Sequence, residues 1–242
     1  MNISVLILAA GQIASDGNDS GYPLCLTEFD GVSLLERIVD NTRNIEGVNY
    51  AFALLEKDAA RFHLDKVAKL LVPNAVVIRI PETTQGSACT ALLAASQLDP
   101  NNELLIISAN ELVDVDFSAM LNDFRARNLD GGVLVFRSVH PRYSYVRLNA
   151  ERLVTEAAQQ VPISNNATAG IFWFAQTSEF VEAAKNLIRK NASANSKFFV
   201  APTFNELILK QARIGVLDLD LSKYHPLKTE RQVQQFEQEA SV

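Results

Sequence analysis

Ile3-Ser-Val-Leu-Ile-Leu-Ala-Ala-Gly11 stands near the N-terminus of the chain. Its unbroken apolar run from Val5 to Ala10 reads as a central β-strand buried on both faces. Ala9, Ala10 and Gly11 then let the backbone turn with no side chain in the way of a ligand approaching the peptide N–H groups. A polar, glycine-rich stretch runs from Gln12 to Asp30, and a helix is expected near Ser33. So long a connection without secondary structure is unusual inside a compact α/β domain, and such loops carry function. Ligands in open α/β sheets sit beyond the carboxyl ends of the strands, which places the expected site here.

Outward from this strand the chain alternates. Ser33 is placed to cap a helix whose apolar stripe is Leu34, Leu35, Ile38 and Val39. A strand over Val48 to Leu55, a charged helix from Lys57 to Leu71 and a strand over Ala75 to Ile80 follow. The segment Pro81 to Thr90 feeds a small-residue helix through Gln97, then come a strand over Glu103 to Ser108 and a helix over Phe117 to Arg127. Strands and helices in this rhythm imply a mostly parallel sheet covered on both faces.

Past residue 130 the pattern shortens to period-2 runs, Gly131 to Phe136, Ser144 to Leu148 and Arg152 to Glu156, the last two joined by a hairpin at Asn149-Ala-Glu151. A strand over Ala167 to Phe174, helices over Ser178 to Lys190 and Phe204 to Gln211, a strand over Ile214 to Leu221 and a polar helix over Thr229 to Glu239 complete the chain. No Pro/Ser/Gly linker divides it. The expectation is one α/β domain over residues 1–242, a Rossmann-like three-layer sandwich whose mostly parallel sheet is extended by antiparallel strands.

With 48% hydrophobic and 21% charged residues the chain reads as a soluble globular protein with a substantial core. Its net charge of −6 argues against nucleic acid and membrane partners, which call for a basic face. No apolar run reaches the ~18 residues of a membrane span, and Met1-Asn2-Ile3-Ser4 lacks the positive region of a signal peptide, so the expected location is the cytoplasm. Cys25 and Cys89 make no disulfide framework, and His63, His140 and His225 are scattered, against a zinc site.

Three loops that bear on chemistry follow strands of the parallel half: Ala10-Gly11, Gln85-Gly86-Ser87 and Ser108-Ala-Asn-Glu111. They are expected to gather at one sheet edge. Gly86 at a helix start, with Ser87 able to cap, offers N–H groups and a positive dipole end. Gln85 carries both donor and acceptor, as needed to read a nucleobase edge. Other features read as structural. Asp116, which with Asp114 mimics an Asp-x-Asp metal motif, is better taken as a helix N-cap. Phe172, Trp173 and Phe174 are sheet core, with one face able to line a cleft. His140-Pro141-Arg142 and His225-Pro226 are turns, and Cys89 is a packed thiol.

The chain resembles the sugar-phosphate nucleotidyltransferases, in the branch associated with capsule and lipopolysaccharide biosynthesis. The likeness rests on Val5 to Gly11, Gly21-Tyr22-Pro23 with Gly31, Leu35 to Val39, Thr84 to Leu93, Pro162 to Asn165, Ala169-Gly-Ile171 and Phe199 to Ile208. It implies a GT-A-like sandwich with a nucleotide-binding half (1–130) and a sugar-binding half (131–242). It further implies attack of a sugar 1-phosphate on the α-phosphate of a nucleoside triphosphate with Mg²⁺ and release of pyrophosphate; a homodimer is the expected assembly. Carried over residue by residue, the nucleotide-binding set is Ala9, Ala10, Gly11, Gln85, Gly86 and Ser87, and the sugar-binding set is Gln159 and Gly170.

The charged positions depart from that pattern. Gly11-Gln-Ile-Ala-Ser15 has no arginine, and no Arg or Lys occurs from residue 1 to 36. Leu24 stands where a lysine is usual, Asn110 where the metal-binding aspartate is usual, Gln159-Gln160 for a Glu-Lys pair, and Lys228-Thr229 for a Gly-Thr turn. Asn110 is a poor Mg²⁺ partner, though Glu111 beside it has the carboxylate such an ion needs; these two are the catalytic candidates, and no metal ligand is assigned. The expectation is a protein that binds a nucleotide or nucleotide-sugar with weak or lost pyrophosphorylase activity. An active enzyme and a non-catalytic regulatory partner are the alternatives.

Overall fold

The computed structural model describes residues 2–11 and 22–240; the Gln12–Gly21 part of the expected ligand loop lies outside them. Five strands carry the first half: β1 (Ile3–Ala9), the short β2 (Glu28–Phe29) and β3 (Val32–Ser33), β4 (Val48–Leu55) and β5 (Val76–Ile80). They are interleaved with helices α1 (Leu34–Thr42), α2 (Glu56–Phe62) and α3 (Leu64–Leu71). Next come α4 (Ser87–Ala95), β6 (Glu103–Ser108), β7 (Glu111–Val113) and α5 (Phe117–Ala126). The later part holds β8 (Gly131–Arg137), β9 (Ser144–Leu148), β10 (Val154–Gln159), β11 (Asn166–Phe174), α6 (Thr177–Arg189) and α7 (Thr203–Ile208). It ends with β12 (Ile214–Asp218), β13 (Tyr224–Pro226) and α8 (Glu230–Ala240).

Nine strands form one sheet, along the path β10-β9-β11-β6-β1-β4-β5, with β8 on β11 and β12 on β8. β1 pairs in parallel with β4 and β6, and β4 with β5; β11 then runs antiparallel to β6, β8 and β9. This is the mixed α/β sheet expected, parallel at its centre and extended by antiparallel strands. Alternation along β1 explains the three layers. Ile3, Val5, Ile7 and Ala9 join one apolar cluster with residues of α1, α3, α5 and α8, while Leu6 and Leu8 join another with α4, α6 and α7.

Local signals act as read at several places. The Ser33 hydroxyl accepts from Glu36 N–H at 3.2 Å and the Asp116 carboxylate from Ala119 N–H at 3.1 Å, each capping its helix. The Asn149 side chain accepts from Glu151 and Leu153 N–H groups, shaping the β9–β10 hairpin.

Four expectations are corrected. The helix from Lys57 to Leu71 is two helices, broken at His63 in the left-handed region (φ 54°). The supposedly structureless connection carries a 3₁₀ turn at Leu24–Leu26 and the β2–β3 hairpin. His225-Pro226 is no turn but part of β13, paired antiparallel with β7. Ser87 does not cap α4: Gly86 is the N-cap and Ser87 the first helical residue.

Candidate functional site

Register brings the carboxyl ends of the central strands together. Ala9 lies opposite Leu54, and Leu8 opposite Ser108, so the loops after β1, β4 and β6 leave the sheet side by side. With the start of α4 they enclose a cleft of about 410 Å³. Ala9, Ala10, Gly11, Gly86 and Ser87 all line it, as do Ser108 and Asn110. Gln85 does not. Its side chain is exposed, and its carbonyl accepts from Phe198 N–H at 2.8 Å.

The two glycines differ in what requires them. Among the described residues a Cβ on Gly11 would meet nothing within 4 Å, so none of them demands glycine there. Gly86 has φ 98°, and a Cβ there would stand 2.3 Å from the Phe198 carbonyl oxygen. That carbonyl accepts from Ala88 N–H at 3.0 Å. Gly86 therefore serves a close approach between two protein segments, one that ties the Phe199 stretch to the start of α4.

A second cavity of about 230 Å³ shares Ser87, Ser108, Asn110 and Phe199 with the first, so the cleft continues from one into the other. Gln159, Gly170 and one face of Phe172 line this part, whereas Trp173 and Phe174 are buried in the core. Among the described residues its one lining carboxylate is Glu111, whose side chain is 1% exposed. The Tyr224 hydroxyl donates to Glu111 Oε2 at 2.6 Å, and Lys228 Nζ stands 3.4 Å from Oε1. Burial first, and then the adjacent Glu111 charge, push the Tyr224 phenol well above its usual pKa, so it stays a donor. A Cβ on Gly170 would lie 2.0 Å from Glu111 Oε1 and 2.7 Å from Ser108 Oγ. Gly170 falls where β11 loses its regular pairing between Thr168 and Phe172, and its bare backbone makes room for the carboxylate.

Three cations reach this cleft, and all come from beyond residue 140. Arg142 and Lys228 flank the Tyr143 ring, at 5.1 and 5.5 Å from its centroid, and both line the smaller cavity. Lys197 lines the larger one. Among the described residues Arg142 and Lys197 make no ion pair. The absence of basic residues from positions 1 to 36 therefore does not leave the cleft without positive charge. Sequence reasoning passed over Arg142 as part of a turn and over Lys197 altogether. The available signals were the nearness of Lys197 to Phe199 and the placement of Lys228 at a turn that is ordinarily small.

Asn110, the other catalytic candidate, borders both parts of the cleft. Its backbone carbonyl accepts from Leu227 N–H at 2.9 Å, while its Oδ1 is buried without a hydrogen-bond partner among the described residues. Among the described residues the donor set does not fit the Mg²⁺ that the family resemblance implies. Both Glu111 oxygens are engaged, Asn110 is neutral, and among the described residues no three His, Cys, Asp or Glu side chains converge. Mg²⁺ is held by one or two carboxylates in a near-octahedral oxygen shell. Glu82, on the larger cavity, is paired with Lys57 at 3.4 Å. Cys25 also lines that cavity, but burial pushes its thiol up to about 12, which keeps it an inert neutral group.

No family model matches the chain, and no curated protein does. Solved structures do. A nucleoside-diphosphate-sugar pyrophosphorylase from Vibrio cholerae RC9 is 18% identical, with a TM-score of 0.77, over 96% of this chain and 99% of that one. A putative glucose-1-phosphate thymidylyltransferase from Bacillus anthracis, in complex with a sucrose, is 14% identical with a TM-score of 0.76, over 98% and 95%. A UDP-glucose pyrophosphorylase complexed with UDP-glucose is 12% identical with a TM-score of 0.79, over 100% and 99%. At these identities the likeness establishes a shared fold along nearly the whole chain. Among the described residues no helix is long and apolar enough to cross a membrane.

Proposed function

We propose that this protein binds a nucleotide or nucleotide-sugar across the two-part cleft, with weak or lost pyrophosphorylase activity. The observation that carries the reading is the convergence of bare backbone at Ala9, Ala10 and Gly11 with the start of α4 and three cations on one cleft. Backbone N–H groups and a helix N-terminus suit phosphate oxygens. Lys197, Arg142 and Lys228 supply charge to a diphosphate lying along the cleft. The buried, unpartnered Asn110 Oδ1 asks for a donor, which a sugar or ribose hydroxyl provides. Loss of turnover follows from the charge deficit around the expected triphosphate position: no arginine after Gly11, Leu24 after Pro23, and Asn110 in place of a carboxylate.

The same three cations favour a second reading, an active nucleotidyltransferase that grips its triphosphate from the later half of the chain. Two measurements separate the readings. A panel of nucleotides and nucleotide-sugars, headed by the UDP-glucose that one structural neighbour holds, is expected to raise the melting temperature by mass action. Pyrophosphate release from triphosphates and sugar 1-phosphates with Mg²⁺ is expected to stay at background. Robust turnover establishes the second reading, and a panel without any thermal shift overturns both.

A further inference from the structure

The geometry points to Lys228 as a built-in cation that meets the ligand's phosphate charge directly, so that binding in the smaller cavity needs no divalent ion. The inference rests on the nucleotide-sugar reading above and names how that site handles charge. Among the described residues Glu111 is the one carboxylate lining the cavity, and it is buried, with the Tyr224 hydroxyl at 2.6 Å from Oε2 and Lys228 Nζ at 3.4 Å from Oε1. A divalent ion bound to Glu111 Oε1 at about 2.1 Å would displace the ammonium or stand against it.

Lys228 is held on several sides. Leu227 N–H donates to the Asn110 carbonyl at 2.9 Å, Lys228 N–H donates to Gln232 Oε1 at 3.0 Å, and the Tyr143 ring lies beneath the ammonium. The ammonium has three donors, its contact with Glu111 at 3.4 Å is an ion pair, and the side chain keeps 28% exposure while lining the cavity. Arg142, on the same Tyr143 ring, adds a second charge with no described acidic partner. Among the described residues the charged lining of the cavity is thus Glu111, Arg142 and Lys228, one negative and two positive, a net of +1. That field attracts phosphate and repels a divalent cation.

The test titrates UDP-glucose by calorimetry with Mg²⁺ and again with EDTA, and inorganic pyrophosphate in EDTA by thermal shift, on wild type, Lys228→Met, Lys228→Arg and Arg142→Gln. Affinity for UDP-glucose is expected to agree within about twofold with and without Mg²⁺. Lys228→Met is expected to lose roughly tenfold or more, Lys228→Arg to retain most of the affinity, and Arg142→Gln to weaken binding several-fold, in line with charged hydrogen bonds. Arg142→Gln, at an exposed position, guards against a Lys228→Met chain that fails to fold. Binding of UDP-glucose only with Mg²⁺, or unchanged affinity in both Lys228→Met and Arg142→Gln, overturns this inference and leaves the nucleotide-sugar reading standing. Pyrophosphate stabilisation that depends on Lys228, without any response to nucleotides, supports the cation and overturns the reading. No binding of either probe overturns both.

Discussion

Gly170 shows how much one missing side chain decides. Its hydrogen occupies space that a methyl group would contest with Glu111 Oε1 at 2.0 Å and Ser108 Oγ at 2.7 Å. Gly170→Ala is expected to cost about 1–3 kcal/mol, as overpacking does, and to weaken ligand binding together with stability by moving the Glu111–Lys228 pair. Chemical denaturation paired with UDP-glucose titration measures both. The likeness of Ala169-Gly-Ile171 to a family motif pointed at this glycine, but its physical reason involves Ser108 and Glu111, residues distant in sequence. Glu111 itself was legible as a carboxylate after a strand. Its engagement was not, because Tyr224 lies 113 positions away. Gln85 illustrates the opposite failure: a residue type well suited to reading a base edge stands outside the cleft lining, while its backbone carbonyl anchors Phe198.

Among the elements, the central parallel strands β1, β4 and β6 were legible because each carries an apolar run long enough to bury both faces. The pairing of β7 with β13 was not. Each has three residues, too few for a periodic signal, and their partners are set by tertiary contact. The same holds for the junction between β6, α5 and β11. Glu103 is buried at the start of β6, where Arg125 of α5 meets it through three contacts of 2.7 to 3.2 Å and the Trp173 indole N–H donates to it at 3.2 Å. Arg125→Ala would leave that carboxylate with only the indole, and is expected to cost roughly 3 kcal/mol, read as a lower denaturation midpoint. Asp116→Ala removes the cap of α5 and is expected to cost about 1 kcal/mol by the same measurement. The break between α2 and α3 at His63 escaped notice because a non-glycine residue in the left-handed region leaves no mark in an apolar pattern.

For the whole molecule, the sheet joins residues 3–9 to residues 103–108 and 166–174, so the fold is largely a matter of long-range pairing. Its response to alkali is set by groups that burial keeps protonated. Burial, and then Asp58, raise the Cys25 thiol from 9.0 to about 12, and the Tyr224 phenol lies well above 10.0. Each raised pKa means that the folded state holds its proton where the unfolded chain would release it. The stability these groups contribute is complete below their unfolded values and drains away as pH climbs, from about pH 9 for Cys25 and pH 10 for Tyr224. Melting temperature is expected to fall across that range, and Cys25→Ala to flatten its first part.

The cleft takes one wall from Ala9 and Gly11 and one of its lysines from position 228. During synthesis, then, the first strand has long left the ribosome before the residue that completes the binding surface exists. On the nucleotide-sugar reading, a ligand that needs Lys228 stabilises only chains synthesised past that position.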